Sequence, residues 1–370
     1  MVFSVEQEIL NEALSNVSKA VAERSAIAAL EGIKFEFSAG KLTLTGYDLE
    51  IGIKTAVDAV GSGAETFVLN ARLICEMVRK LPHGTVNIEI SGDENAPVRF
   101  TCGAIKFSLT SISAEDYPDI PEYEKTEGFE IAAPTLRNMI TMTKFAVAQN
   151  DIKPILTGEK FETGGGVFEI VGMDGYRLAI RREEIDSKNK YKFVIKAKAL
   201  TEVASLINEK SEENIKIYVS SKNAAFETGS YIIYTRLLEG EYFDYGNAVP
   251  TKDRITAEVK IAASGLIKSL ERSLLLIDER IKSPVRLVFK DNVCELSCRT
   301  ARGEISDELE CEVSSGETEI GFNAQYLLSA LRSAESDEVL LKLVNGVSPM
   351  LITPIEGDSF MFIVLPIRLH

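Results

Sequence analysis

Asp48, in Leu44-Thr45-Gly46-Tyr47-Asp48-Leu49, and Asp174, in Val171-Gly172-Met173-Asp174-Gly175-Tyr176, are carboxylates set 126 residues apart in matching surroundings. Paired acids are common agents of proton transfer. An enzyme built on them would need partners, and the chain offers few. Its only histidines are His83 and His370, so neither a Ser-His-Asp set nor a His-based metal site has the residues it needs. No phosphate-binding loop is present, and Gly164-Gly165-Gly166 reads as a hairpin turn. Cys75, Cys102, Cys294, Cys298 and Cys311 are odd in number and lack a Cys-x-x-Cys spacing. They read as reduced core thiols, and the strand-like alternation around Cys294 and Cys298 favours packing over ligation. The expectation is therefore no catalytic residue, no metal and no cofactor.

The repeated aspartates belong to a larger repeat. Phe67-Val68-Leu69-Asn70-Ala71 returns as Phe193-Val194-Ile195-Lys196-Ala197 and as Ile320-Gly321-Phe322-Asn323-Ala324, at spacings of 126 and 127 residues. Tyr117-Pro118-Asp119 is answered by Tyr242-Phe243-Asp244 after 125. Solenoid repeats run at roughly 20–50 residues, so this period is a whole domain. A length of 370 residues divided into typical domains of about 100–150 also gives three. Domains are expected at 1–124, 127–252 and 253–370, with polar linkers at 122–128 and 249–254. The start Met1-Val2-Phe3-Ser4-Val5-Glu6 does not read as a signal peptide, and no apolar stretch is long enough to span a bilayer. A cytoplasmic protein without a membrane partner is expected. A secreted repeat adhesin would need a signal.

The elements that position these residues follow from periodicity. Leu10, Ala13, Leu14, Val17 and Val21 recur at helical steps, as do Leu73, Ile74, Met77, Val78 and Leu81. The middle copy has Leu136, Met139, Ile140 and Thr143 from Pro134, then Leu200, Val203, Ala204 and Ile207. The third has Leu266, Ile267, Leu270 and Leu274, then Leu327, Leu328 and Leu331. Asn70 and Asn323 are placed to cap their helices. Alternating runs such as Ile33–Phe37, Val86–Ile90 and Ile215–Val219 predict strands with one wet face. The fold class is α+β: two helices and antiparallel sheets in each copy.

Net charge is −15, which argues against a polyanionic partner. Over the predicted helices 7–24, 71–80, 134–149, 196–210, 263–277 and 323–335, however, the charge is +5, leaving −20 elsewhere. Arg72 and Arg79 share one helix face, as do Arg137 and Lys144. Any one of these reads as a solvated surface residue. Segregation across six helices suggests a positive lining inside an acidic shell, suited to a nucleic-acid backbone.

The chain resembles the bacterial sliding clamps, the beta subunits of DNA polymerase III, over its whole length. The resemblance rests on Leu44-Thr45-Gly46-Tyr47-Asp48-Leu49-Glu50, Met173-Asp174-Gly175-Tyr176-Arg177-Leu178-Ala179, Ile320-Gly321-Phe322-Asn323 with Tyr326, and Leu365-Pro366-Ile367-Arg368-Leu369. It implies three tandem clamp domains, two helices inside and sheets outside, and a head-to-tail homodimer forming a six-domain ring around double-stranded DNA without sequence preference. It implies a non-catalytic processivity factor whose partners are the polymerase III alpha subunit, the clamp loader and other proteins with a clamp-binding peptide. The implied peptide pocket comprises Leu156, Met173, Gly175, Tyr176, Arg177, Leu178, Phe243, Ala248, Ile363, Leu365, Pro366 and Ile367, flanked by Lys153, Asn323, Tyr326, Pro349 and Met350. Tyr176 stands where the family commonly has His, Phe243 where it has Pro and Asn247 where a basic residue is frequent, while His370 extends the usual ending. Arg24 and Gln149 match family DNA contacts. Arg72, Arg79, Lys80, Arg137, Lys144, Lys198 and Arg332 join them on helix charge. The implied dimer seam lies near Phe107 and Leu109 on one side and Leu275 and Leu276 on the other.

Overall fold

The computed structural model describes residues 1–91, 97–125, 128–150, 152–278, 283–314 and 316–369. His370 and the linker residues Thr126 and Glu127, the latter a predicted domain start, lie outside them.

One element order is written three times. The first copy runs Val2–Glu6, helix α1 (Gln7–Val17), Gly32–Ser38, Lys41–Tyr47, Ile51–Asp58, Ala64–Asn70, helix α2 (Ala71–Arg79), Thr85–Glu89, Pro97–Cys102 and Ile105–Thr110, with a short extra strand at Val60–Gly61. The second runs Gly128–Ala132, α3 (Ala133–Lys144), Gly158–Gly164, Val167–Met173, Arg177–Glu184, Lys192–Lys196, α4 (Ala197–Leu206), Asn214–Val219, Asn223–Thr228 and Tyr231–Arg236. The third runs Ala257–Ala262, α5 (Ala263–Leu274), Val285–Lys290, Val293–Thr300, Gly303–Val313, Thr318–Phe322, α6 (Ala324–Ser333), Glu338–Leu343, Met350–Thr353 and Phe360–Val364. Every pairing is antiparallel, as alternation of wet and dry side chains requires.

The sequence copies are not the compact units. One unit is Met1–Pro134 with Thr201–Leu237, and the other is Thr135–Leu200 with Leu238–His370, so the middle copy is divided between them. The strand ladders give the reason. Within the first unit, the last strand of copy two pairs with the fourth strand of copy one, Ile233 opposite Ile53. Within the second, the last strand of copy three pairs with the fourth strand of copy two, Arg177 opposite Val364. The first unit thereby holds a five- and an eight-stranded sheet, and the second a twelve-stranded one.

The helices bury the predicted stripes, with corrections at their ends. α1 stops at Val17 and tightens into a 3-10 turn, Ser18–Ala20, so Val21 is extended and Arg24 sits in the loop beyond. The Ser18 hydroxyl donates back to Ser15 O at 2.9 Å, competing with the helical ladder. α3 ends at Lys144 because Ala146 and Val147 donate to carbonyls three residues back, and Gln149 lies past it. Lys80, Lys196 and Lys210 also fall just off their helices. Leu73 is 53% exposed and outside the buried stripe of α2, which is Ala71, Ile74 and Val78. The helices as formed carry Arg72, Arg79, Arg137, Lys144, Lys198, Lys268, Arg272 and Arg332 against Glu8, Glu12, Glu76, Glu202 and Glu271. The excess is still positive but smaller than over the wider predicted spans.

Asn70 caps α2 by accepting from Leu73 N at 3.0 Å, and Asn323 caps α6 by accepting from Gln325 N and Tyr326 N. Gly165 and Gly166, at φ +63° and +83°, make the hairpin turn between Gly158–Gly164 and Val167–Met173. Cys102, Cys294, Cys298 and Cys311 are buried, Cys75 is half-buried, and all five are free thiols.

Candidate functional site

The second aspartate organises a surface in the second unit. Asp174 ends Val167–Met173, and its Oδ1 accepts from the N–H groups of Tyr176 and Arg177, each at 2.8 Å. This Asx turn places Gly175 at φ +91°, where a side chain would be strained. Asp48 makes the same turn, accepting from Glu50 N at 2.9 Å and Ile51 N at 2.6 Å, with Leu49 at φ +74°. The repeated carboxylates are thus turn locks. They hold the backbone rather than reach a substrate.

In the second copy the lock also holds a cation. Asp174 Oδ2 accepts from Arg177 Nη2 at 2.7 Å and Nε at 3.0 Å, and both side chains are only 10% exposed. Arg177 further donates to Ser329 Oγ at 3.1 Å, and its guanidinium lies 4.3 Å from the Tyr326 ring centre and 5.8 Å from that of Phe145. Tyr176 stacks obliquely on Tyr326 at 5.9 Å and remains 60% exposed. Leu365 N donates to Tyr176 O at 2.9 Å, and Ile367 N to Gly321 O at 2.8 Å, which lays the carboxy-terminal segment beside this turn.

The floor is apolar. Leu156, Met173, Leu178 and Ile363 form one buried cluster with Val171, Ile180 and Leu351, and Tyr242, Tyr245 and Val249 pack against it. Tyr242 donates to Val171 O at 3.1 Å, and burial pushes its phenol pKa up. On the rim, Lys153 Nζ lies 5.0 Å from the centre of the Phe243 ring, which is 57% exposed. Ala248 is exposed on a 3-10 turn, Gly246–Ala248, next to exposed Asn247. Leu365, Pro366, Ile367 and Pro349 are half-buried. Met350 has no exposed surface and belongs to the third-copy core, so it stands behind the site rather than on it.

Sequence reasoning gave no site role to Tyr242 and Tyr245, which fix the segment before the 249–254 linker onto the floor, or to Phe145, which backs Arg177. It also missed Glu159. Register aligns this buried carboxyl with Ile33 and Val285, both core residues, so one acid among apolar counterparts was the available signal.

The proposed DNA-facing residues are spread over both units. Arg24 and Gln149 are exposed on loops after α1 and α3, and Arg79, Lys80 and Lys198 are exposed at or near helix ends. Arg137 and Lys144 are half-buried on α3. Arg72 lies 3.5 Å from Glu76, and Arg332 pairs with Glu271 at 2.6 Å. On the seam, Phe107 and Leu109 lie on the edge strand Ile105–Thr110, and Leu275 is 78% exposed just past α5. Among the described residues, no cluster could hold a metal ion and no helix is long and apolar enough to cross a membrane.

Comparison with known proteins gives one consistent result. The family described as DNA polymerase III beta subunit matches with its N-terminal domain at residues 1–121, its central domain at 130–244 and its C-terminal domain at 247–368. The beta sliding clamps of Staphylococcus epidermidis and Staphylococcus aureus are each 27% identical over the full length of both chains. The crystal structure of a putative DNA polymerase III beta subunit from Eubacterium rectale matches with a TM-score of 0.94 at 30% identity, covering 100% of each chain. The sliding clamp of Bacillus subtilis matches at 0.95 and 27%, and that of Pseudomonas aeruginosa bound to griselimycin at 0.93 and 26%, both again over 100% of each chain.

Proposed function

Because the chain belongs to the bacterial DNA polymerase III beta-subunit family of sliding clamps, non-catalytic accessory subunits of the polymerase, we propose that two copies close head to tail into a six-domain ring around duplex DNA. The observation that carries this is the seam rule. The fourth strand of one copy takes the last strand of the next, at Ile51–Asp58 with Tyr231–Arg236 and at Arg177–Glu184 with Phe360–Val364. Two strands are left over. Ile105–Thr110 ends its sheet, and Gly303–Val313 meets Ala257–Ala262 only through Cys311–Val313. An open edge is a template for another chain. Carrying the internal registers onto this pair sets Ile105 opposite Asp307 and Phe107 opposite Ile305. Phe107, Leu109, Leu275 and Leu276 would be covered at that seam.

The proposed domains are 1–124, 127–252 and 253–370. Duplex DNA is held by backbone charge through Arg24, Arg72, Arg79, Lys80, Arg137, Lys144, Gln149, Lys198 and Arg332, without sequence preference. The polymerase alpha subunit, the clamp loader and other partners dock a linear peptide on the surface built around Asp174. Its apolar floor and oriented polar rim fit a short extended segment. The setting is the cytoplasm. Processivity then comes from topology: a closed ring needs no tight grip.

Retention on DNA tests the whole reading. The protein, loaded by its clamp loader, should stay on nicked circular DNA and run off the same DNA once it is cut. Equal loss from both would end the ring proposal.

A further inference from the structure

Glu159 occupies a core position that the other two copies fill with Ile33 and Val285, all three without exposed surface. We infer that Glu159 is a positioning residue, whose proton-dependent contact with Thr143 seats the end of α3 on Val167–Met173 and so sets one wall of the peptide surface. The inference rests on the peptide-docking reading above and goes beyond it.

The hydrogen bonds around Thr143 call for the carboxyl proton. Thr143 Oγ1 lies 2.8 Å from Met139 O and 3.0 Å from Glu159 Oε2. A hydroxyl has one proton to donate. If it goes to the helical carbonyl, the Thr143 oxygen can only accept from Glu159, which must then carry a proton. A carboxylate there would compete for the same hydrogen while buried, where an unpaired charge is costly. Burial pushes the Glu159 pKa up to about 8, with the Thr143 hydrogen bond and the Lys144 ammonium pulling the other way. Tyr242, ahead of the linker, faces the same carboxyl. The next residue along, Lys160, pairs with Glu162 at 2.6 Å, approaches Glu169 at 3.7 Å and accompanies Tyr245.

The contact has a route to the peptide surface. The last turn of α3 lies on Gly172 so closely that a Cβ there would be 2.4 Å from Thr143 O and 3.3 Å from Val147. Gly172 precedes Met173 on the floor. Beyond the helix, Ala148 N donates to Leu156 O at 2.8 Å, tying the segment that follows α3 to another floor residue. Ionising Glu159 breaks the chain from Met139 through Thr143 and loosens this seat.

The test is the affinity of a fluorescein-labelled polymerase tail peptide from pH 6.5 to 9.5, for the wild type and Glu159→Gln. The Gln amide donates to Thr143 without titrating. Wild-type affinity should fall about tenfold between pH 7 and 9 if only the protonated form seats the wall, while Glu159→Gln stays level. Amide exchange of residues 144–157 at the same pH values should show a matching loss of protection in the wild type alone. Identical exchange profiles in the two proteins overturn the positioning role. Failure of the peptide to bind the wild type at pH 7 overturns instead the peptide-docking reading, and exchange then still decides whether Glu159 seats α3.

Discussion

At the scale of residues, a pair of aspartates that could have been acid–base chemistry turns out to hold turns. The two differ in the residue three positions on. Ile51 stands where Arg177 stands in the second copy, and Arg177 is bound to Asp174 with little solvent around either. Removing one partner of a largely buried ion pair costs about 3–5 kcal/mol, whereas losing two turn hydrogen bonds costs about 1–2 kcal/mol. Asp174→Ala should therefore destabilise the protein more than Asp48→Ala in urea denaturation followed by tyrosine fluorescence, and only Asp174→Ala should weaken peptide binding. Equal losses would mean that the ion pair adds nothing to the turn. Glu159 gives a second prediction. Its folded pKa is raised, so the native state keeps a proton that the unfolded chain releases above about 4.5. The stability it contributes is fully present below that value and is lost as pH rises to about 8. Glu159→Ile, the first-copy residue, should gain up to about 3 kcal/mol at pH 7 relative to its effect at about pH 4.5. A melting temperature with the same pH dependence in both proteins would contradict the assigned burial of charge.

At the scale of elements, the helices sit on their sheets through glycines that leave no room for a side chain. Gly172 meets the backbone of α3 at Thr143 O, and its counterpart Gly46 meets that of α1, where a Cβ would be 2.3 Å from Val17 O. The third copy has buried Cys298 at the matching position. Gly172→Ala forces helix and strand apart and should cost about 3 kcal/mol. Gly165→Asn, in the open hairpin turn at φ +63° with nothing near its Cβ, should change stability by less than about 1 kcal/mol. Thermal melts of the two variants decide this, and a mild Gly172→Ala would mean that the helix has room to ride higher on its strand. The element ends have equally local causes. The predicted spans overran α1 and α3 because apolar spacing continues past the last helical hydrogen bond, whereas the Ser18 back-bond and the three-residue turns at Ala146 and Val147 end the ladder.

At the scale of the whole molecule, the seam rule and the charge distribution make separable predictions. Leu276→Asp places a charge where the seam would desolvate it, at a cost of several kcal/mol, roughly enough to dissociate a modest dimer. Sedimentation should find folded monomers at low micromolar concentration, and a dimer there would move the seam elsewhere. Arg24→Ala with Arg79→Ala should leave the dimer intact but reduce DNA affinity and its salt dependence equally for any base sequence. A sequence-specific loss would refute backbone binding. Ending the chain after Val364 removes the segment held by Tyr176 O and Gly321 O while sparing Phe360–Val364. That variant should encircle DNA yet lose the polymerase tail peptide in isothermal titration, and unchanged affinity would place docking away from this surface.

The sequence by itself determined what depends on neighbours along the chain. The three copies are legible because the period is carried by short motifs such as Phe67–Ala71 and Phe193–Ala197. The helix stripes, the caps at Asn70 and Asn323, the turn at Gly165 and four of the five expected core thiols, all but half-buried Cys75, follow from spacing and residue type within a few positions. The apolar floor residues and the Asp174 segment were reachable through family resemblance. Tertiary structure decided what depends on partners far away in the chain. Periodicity marks Leu73 as core, but only packing leaves it in solvent. It marks strands, but not that Arg177–Glu184 completes its ladder with Phe360–Val364, since any open edge of matching length presents the same backbone groups. It says nothing of Glu159, because the cost of burying a carboxyl exists only once Thr143, Tyr242 and the surrounding sheet have closed around it.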